Sequence, residues 1–63
     1  MIVIVNGEKI RVGFKGGKIS SLLQSLMLAR EEVLVKVGGK LVPDDAEIGA
    51  KEKVEVIKVV FGG

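Results

Sequence analysis

One stretch departs from the pattern of an otherwise strand-forming chain. From Ile19, the apolar residues Ile19, Leu22, Leu23 and Leu26 recur at i, i+3, i+4 and i+7. That spacing puts four side chains on one face of a helix. Ser20, Ser21, Gln24 and Ser25 fall mostly off the stripe. On both sides of this stretch the period is two. Between Glu8 and Phe14, Ile10, Val12 and Phe14 share one face and Lys9, Arg11 and Gly13 the other; Val33, Val35 and Val37 share a face further on. A lone one-sided helix among strands has to bury its stripe on a sheet, which predicts a two-layer α+β fold.

Size tightens that expectation. The chain has 63 residues, with no cysteine and no histidine. A domain this short buries only about 60% of its unfolded surface. Neither a disulfide nor a Cys/His zinc site can reinforce it. The reading is one domain over residues 1–63, held by packed Val, Ile and Leu.

In chain order, Ile2–Val5 is apolar at every position and reads as a strand covered on both faces or lying centrally. Asn6-Gly7 favours a type I′ turn, so Ile2–Val5 and Glu8–Phe14 form a hairpin. Lys15 to Lys18 is a loop. The helix starts near Lys18 or Ser20 and runs towards Arg30, whose charge suits a helix C-terminus. Val33–Val37 is a strand, Gly38-Gly39 a turn and Lys40–Val42 a short return stopped by Pro43. Residues 44–50 form a loop with one helical turn around Glu47, and Ile48 anchors it in the core. Lys53–Val60 is the last strand. The expected order is therefore ββαββ, a short helical turn and a final strand.

The net charge is +2, with ten basic and eight acidic residues scattered along the chain. This is a solvated surface, not a nucleic-acid stripe. Two phenylalanines make no base-stacking platform. No apolar run approaches the roughly 20 residues of a membrane span. Residues 1–5 are too short for a signal peptide and lack a basic flank. These features speak against nucleic acid and membrane as partners, and a cytoplasmic location is expected.

Few chemistries are open to such a chain. Gly13 to Lys18 lacks the Ser or Thr after its lysine, and the distant first glycine, that a phosphate-binding P-loop requires. Asp44 and Asp45, after Pro43, read as turn formers. The serines have no histidine to activate them. No catalytic residue, no metal ligand, no bound cofactor and no enzymatic activity of its own is expected.

Its ending is more informative. A β-branched run leads through Phe61 to Gly62-Gly63, a tail able to enter a narrow slot because neither glycine carries a Cβ. Residues 61–63 are expected to project as a flexible tail. The carboxylate of Gly63 is ionised at pH 7, since an α-carboxyl titrates at roughly 3.3–3.7, and is a nucleophile towards an activated phosphate. The plain alternative is a frayed end. If Val54 and Val56 face the helix, then Glu55, Ile57 and Val59 face away, joined by Val3 or Val5. Such an apolar patch marks a partner surface. The pattern also allows a covering loop, or a bulge near Lys58 that reverses the faces.

Several short stretches together carry a family resemblance: Val5-Asn6-Gly7-Glu8; Ile19 with Leu22-Leu23 and Leu26; Gly39-Lys40-Leu41-Val42-Pro43; Val54-Glu55-Val56; and Gly62-Gly63. In this order the chain resembles the small sulfur carriers of thiamine biosynthesis, the ThiS family, and more distantly the MoaD-type carriers of molybdopterin synthesis. The resemblance spans essentially the whole chain. It implies a ubiquitin-like β-grasp, a mixed β-sheet with one helix packed across it and the first and last strands parallel and adjacent at its centre. It also implies a function. A ubiquitin-activating-type adenylating enzyme uses ATP to make the C-terminal glycine an acyl-adenylate. A persulfide-bearing sulfur donor converts this to a thiocarboxylate, which passes sulfur to a downstream synthase.

Carried over residue by residue, Gly63 is the reactive position and Gly62 its partner in the slot. Ile57, Val59 and Phe61 are the residues expected to meet the adenylating enzyme. Two features depart from the family: Ala50-Lys51-Glu52-Lys53 replaces an acidic turn, and Lys18 stands where a threonine commonly caps the helix. A ubiquitin-like protein modifier, joined to target lysines through the same glycine, shares the ending and remains the alternative. A bare interaction module is the third reading.

Overall fold

The structure, a computed structural model, describes residues 1–59. The elements are β1 (Ile2–Val5), β2 (Glu8–Arg11), β3 (Gly16–Lys18), α1 (Ile19–Ser25), a 3₁₀ turn (Arg30–Glu32), β4 (Val33–Val37), β5 (Lys40–Val42), β6 (Glu47–Gly49) and β7 (Val54–Lys58). Five strands form one mixed sheet in the order β2-β1-β7-β4-β5, and β3 pairs with β6 in a small second sheet. β1 and β7 lie parallel and adjacent in the centre, with Val3 beside Val54 and Val5 beside Val56. All other pairings in the sheet are antiparallel.

The helix packs its stripe onto one face of this sheet. Ile19, Leu22 and Leu23 are buried together with Val3, Val33, Val35, Ile48, Val54 and Val56, and Leu26 is half-buried against them. One helix across a mixed sheet with parallel central strands is the ubiquitin-like β-grasp that the resemblance implies. Turn chemistry helps to fix it. Asn6 and Gly7 both have positive φ, 50° and 87°, as a type I′ hairpin turn needs. Gly38 and Gly39 do the same between β4 and β5.

Several elements differ from their sequence-based outlines. β2 ends at Arg11 instead of Phe14, although the N–H of Val12 still donates to the Met1 carbonyl at 2.9 Å. Beyond that bond the chain leaves the sheet and crosses to the second one. Gly16–Lys18, expected as loop, is strand β3. Glu47–Gly49 is strand β6, not a helical turn, and the helical turn lies instead at Arg30–Glu32. Ile48 is the buried anchor expected of that loop. The helix stops at Ser25, short of Arg30. β7 runs Val54–Lys58, so Lys53 is outside the strand, and Val60 lies outside the described residues.

The helix start shows how tertiary structure replaces a missing local signal. Lys18 is the N-cap residue and its side chain makes no capping hydrogen bond. The first N–H groups of the helix are met from elsewhere: Ile19 donates to the Ala46 carbonyl at 2.9 Å and Ser20 to the Asp44 carbonyl at 2.8 Å. Asp44 is held in turn by its carboxylate, which accepts from Arg30 Nη1 at 3.0 Å. The loop before β6 therefore caps the helix with backbone, as a Ser or Thr side chain otherwise would.

Candidate functional site

The ladder bonds of β7 continue to Val59. Because β1 ends at Val5, one neighbour of β7 is lost halfway along it. Asn6 fills that gap. Its N–H donates to the Val56 carbonyl at 2.9 Å, and its side-chain Oδ1 accepts from the Lys58 N–H at 2.8 Å. On the other side, Val59 N–H donates to the Glu32 carbonyl at 2.7 Å. The last two described residues of the chain are thus clamped from both flanks, by a turn side chain and by the end of the 3₁₀ turn. Asn6 is legible in the sequence only as a turn former; its second role needs the parallel pairing that brings residue 58 beside residue 6. Phe61, Gly62 and Gly63, the expected contact and reactive positions, lie outside the described residues.

Strand pairing assigns the two faces of the sheet. Residues opposite one another project from the same side. Val54 and Val56 are fully buried against the helix. Val3 and Val5 are their partners, so both valines belong to the helix face and not to the open face, where the sequence reading placed one of them. An all-apolar strand carries no alternation from which its face can be read. The open face instead holds Ile2 and Ile4 from β1, Ile57 from β7, Leu34 from β4 and Leu41 from β5. Ile57 lies directly opposite Leu34. Exposure on this face is high for large apolar residues: 50% for Ile2, 46% for Leu34 and 61% for Leu41. Ile57 and Val59 are half-buried. β4 stays in unbroken register with β7 from Val37–Val54 to Val33–Lys58, so no bulge interrupts that pairing. Lys58 alternates onto the helix side, but at the strand end the helix no longer covers it and it is exposed.

Among the described residues, no group of three or more His, Cys, Asp or Glu is placed to hold a metal ion. No helix among them is long and apolar enough to cross a membrane. What the described residues present is an apolar sheet face leading to a clamped strand end.

No family model matches the chain. Solved structures do. The crystal structure of the thiamine biosynthesis protein ThiS from Geobacter metallireducens is similar with a TM-score of 0.66 and 28% identity, covering all of both chains. The solution structure of a thiamine biosynthesis protein from the same organism matches equally, with TM-score 0.66 and 28% identity over all of this chain and 88% of that one. The ThiS-type resemblance carried by the sequence is thereby supported in three dimensions over the full length of the chain, as is the β-grasp fold.

Proposed function

We propose that this chain is a sulfur carrier of thiamine biosynthesis or of a molybdopterin-type pathway, working through the carboxylate of Gly63. The observation that supports this most is the full-length likeness, at 28% identity, to a thiamine biosynthesis protein. The clamped end of β7 agrees with it. β7 ends at Lys58 and Val59 is held by the Glu32 carbonyl, which leaves four residues, Val60 to Gly63, to span into another protein's active site. At about 3.3 Å per extended residue that reach is roughly 13 Å.

The chain supplies a carboxylate and no catalytic group. The adenylating partner would bring ATP, whose α-phosphorus is attacked by a Gly63 carboxylate oxygen with loss of pyrophosphate. A persulfide sulfur then attacks the acyl carbon and AMP leaves. A further thiol cleaves the S–S bond, so that Gly63 carries a thiocarboxylate for the downstream synthase. Ile57, Val59 and Phe61 would dock the chain onto the adenylating enzyme.

The tail gives the direct test. Deleting Gly63, or adding one alanine after it, is expected to abolish ATP-dependent adenylation, read as ATP–pyrophosphate exchange, with no fall in melting temperature. Unchanged exchange by the extended, untrimmed chain would remove the reading. Intact mass of the cellular protein separates carrier from modifier: replacement of one oxygen by sulfur marks a carrier, and conjugate ladders mark a modifier.

A further inference from the structure

The two tight turns of the main sheet have nearly the same backbone and unlike sequences. Asn6 and Gly7 have φ of 50° and 87°; Gly38 and Gly39 have φ of 59° and 84°. The first residue of each turn donates its N–H to the chain beside it, Asn6 to the Val56 carbonyl at 2.9 Å and Gly38 to the Lys53 carbonyl at 3.0 Å. A type I′ turn accepts glycine at both central positions, and glycine takes a positive φ without the strain that a Cβ brings. The turn by itself therefore does not call for asparagine at position 6.

The parallel pairing does. Val5 lies opposite Val56, so in continued register residue 6 would lie opposite Ile57. In a parallel ladder such a residue donates to the residue before its partner and accepts from the residue after it. Asn6 makes the first of these bonds with its main chain, to Val56. The second would join the Lys58 N–H to the Asn6 main-chain carbonyl, but at a φ of 50° the backbone has already left the strand. The side-chain Oδ1 takes that rung, at 2.8 Å from the Lys58 nitrogen. Of the two polar atoms of the side-chain amide, only the oxygen can accept. One residue thus turns the chain and carries the ladder one rung further along β7. The opposite flank is held by the bond from Val59 N–H to the Glu32 carbonyl at 2.7 Å.

We propose that Asn6 is a positioning residue for adenylation, its side chain fixing the direction in which the tail leaves β7. This rests on the sulfur-carrier reading and gives that reading a residue far from the tail in sequence. Without Oδ1, Lys58 and Val59 hang from the β4 side alone and are free to swing, and the four residues beyond Val59 amplify the swing. Attack on phosphorus needs the reacting atoms aligned and within about 3–3.5 Å. Asn6 acts through β7 and not on the enzyme. Its loss therefore lowers the fraction of docked carriers whose carboxylate is in line, which lowers kcat and leaves KM for the carrier alone.

The test uses two full-length variants. Asn6→Gly keeps the positive φ and the main-chain bond and removes Oδ1. Asn6→Asp keeps an acceptor oxygen and, like asparagine, tolerates the left-handed region. Each is compared with the parent by amide hydrogen exchange, and by ATP–pyrophosphate exchange with the organism's own adenylating enzyme against carrier concentration. Asn6→Gly is expected to speed exchange of the Lys58 amide about tenfold or more with little change in melting temperature. It is expected to lower kcat about fivefold or more, with KM within about twofold. Asn6→Asp is expected to match the parent in both. Gly16→Ala, which weakens the second sheet, controls for stability and should keep the parent's kcat. A fall in kcat for Gly16→Ala equal to that for Asn6→Gly would make stability the cause and overturn the proposal. A raised KM with unchanged kcat in Asn6→Gly would make residue 6 a contact of the enzyme, and equal losses in the Gly and Asp variants would show that the acceptor oxygen is not the cause; either overturns it. Faster Lys58 exchange with unchanged kinetics would overturn this proposal and leave the carrier reading standing. Failure of the parent to be adenylated would remove both.

Discussion

Met27 holds a backbone conformation that few side-chain-bearing residues adopt. Its φ is 58°, in the left-handed region, and the residue is 92% exposed, so no packing holds it there. The reason is the helix end. Met27 N–H donates to the Gln24 carbonyl at 3.0 Å and Leu28 N–H to the Leu23 carbonyl at 2.9 Å. Those two bonds are a Schellman closure, in which the residue at this position is usually glycine. Half-buried Leu28 then returns onto the core beside Leu23. The sequence pointed past this stop because methionine is a good helix former; nothing local marks residue 27 as the turning point. Met27→Gly is expected to stabilise the fold by about 1 kcal/mol, the relief of left-handed strain being partly offset by glycine's greater freedom when unfolded. Urea unfolding of the two proteins checks this. A clear loss of stability would mean that the Met27 side chain makes a contribution its exposure does not suggest.

At the scale of elements, the hairpins and central strands were legible because their turns and alternation are local. The second sheet was not. β3 and β6 have three residues each, and neither shows a period. They pair because Ile48 is buried in the core and the carbonyls of Asp44 and Ala46 meet the first turn of the helix, a long-range cause. Gly16 and Gly17 allow the approach, with φ of 113° and 133°. A Cβ on Gly16 would stand 3.1 Å from the Ile48 carbonyl oxygen. Gly16→Ala should therefore cost about 1–3 kcal/mol, from backbone strain and crowding together. Gly13, where a Cβ meets open space and φ is not positive, is the control, and Gly13→Ala should be near neutral. Thermal melts of both variants decide it. Equal melting temperatures would show that β3 can shift away from β6 without loss.

The whole molecule is a sheet with two unlike faces, and the parallel β1–β7 pairing decides which residue belongs to which. Periodicity within β7 separated Val54 and Val56 from Ile57, but only the pairing could separate Val3 and Val5 from Ile2 and Ile4. Ile57 is the residue on which this distinction bears most. It lies opposite Leu34 on the open face, one residue from fully buried Val56. Ile57→Asp puts a charge in half-exposed space; Val56→Asp puts one into a core closed to water, where an unpaired carboxylate is not tolerated. Asp is a poor strand residue, which costs about 1 kcal/mol and lowers the melting temperature by roughly 4–8 °C in a domain of this size. Ile57→Asp is therefore expected to stay folded with a modest loss. Its KM for adenylation should rise at least tenfold through lost apolar contact with the enzyme, and kcat should be little changed. Val56→Asp should not fold at all. Circular dichroism on the two variants reads the first difference and ATP–pyrophosphate exchange the second. Were Ile57→Asp to unfold like Val56→Asp, Ile57 would be part of the core. A folded Ile57→Asp adenylated like the parent would show that the tail reaches the enzyme without help from this face.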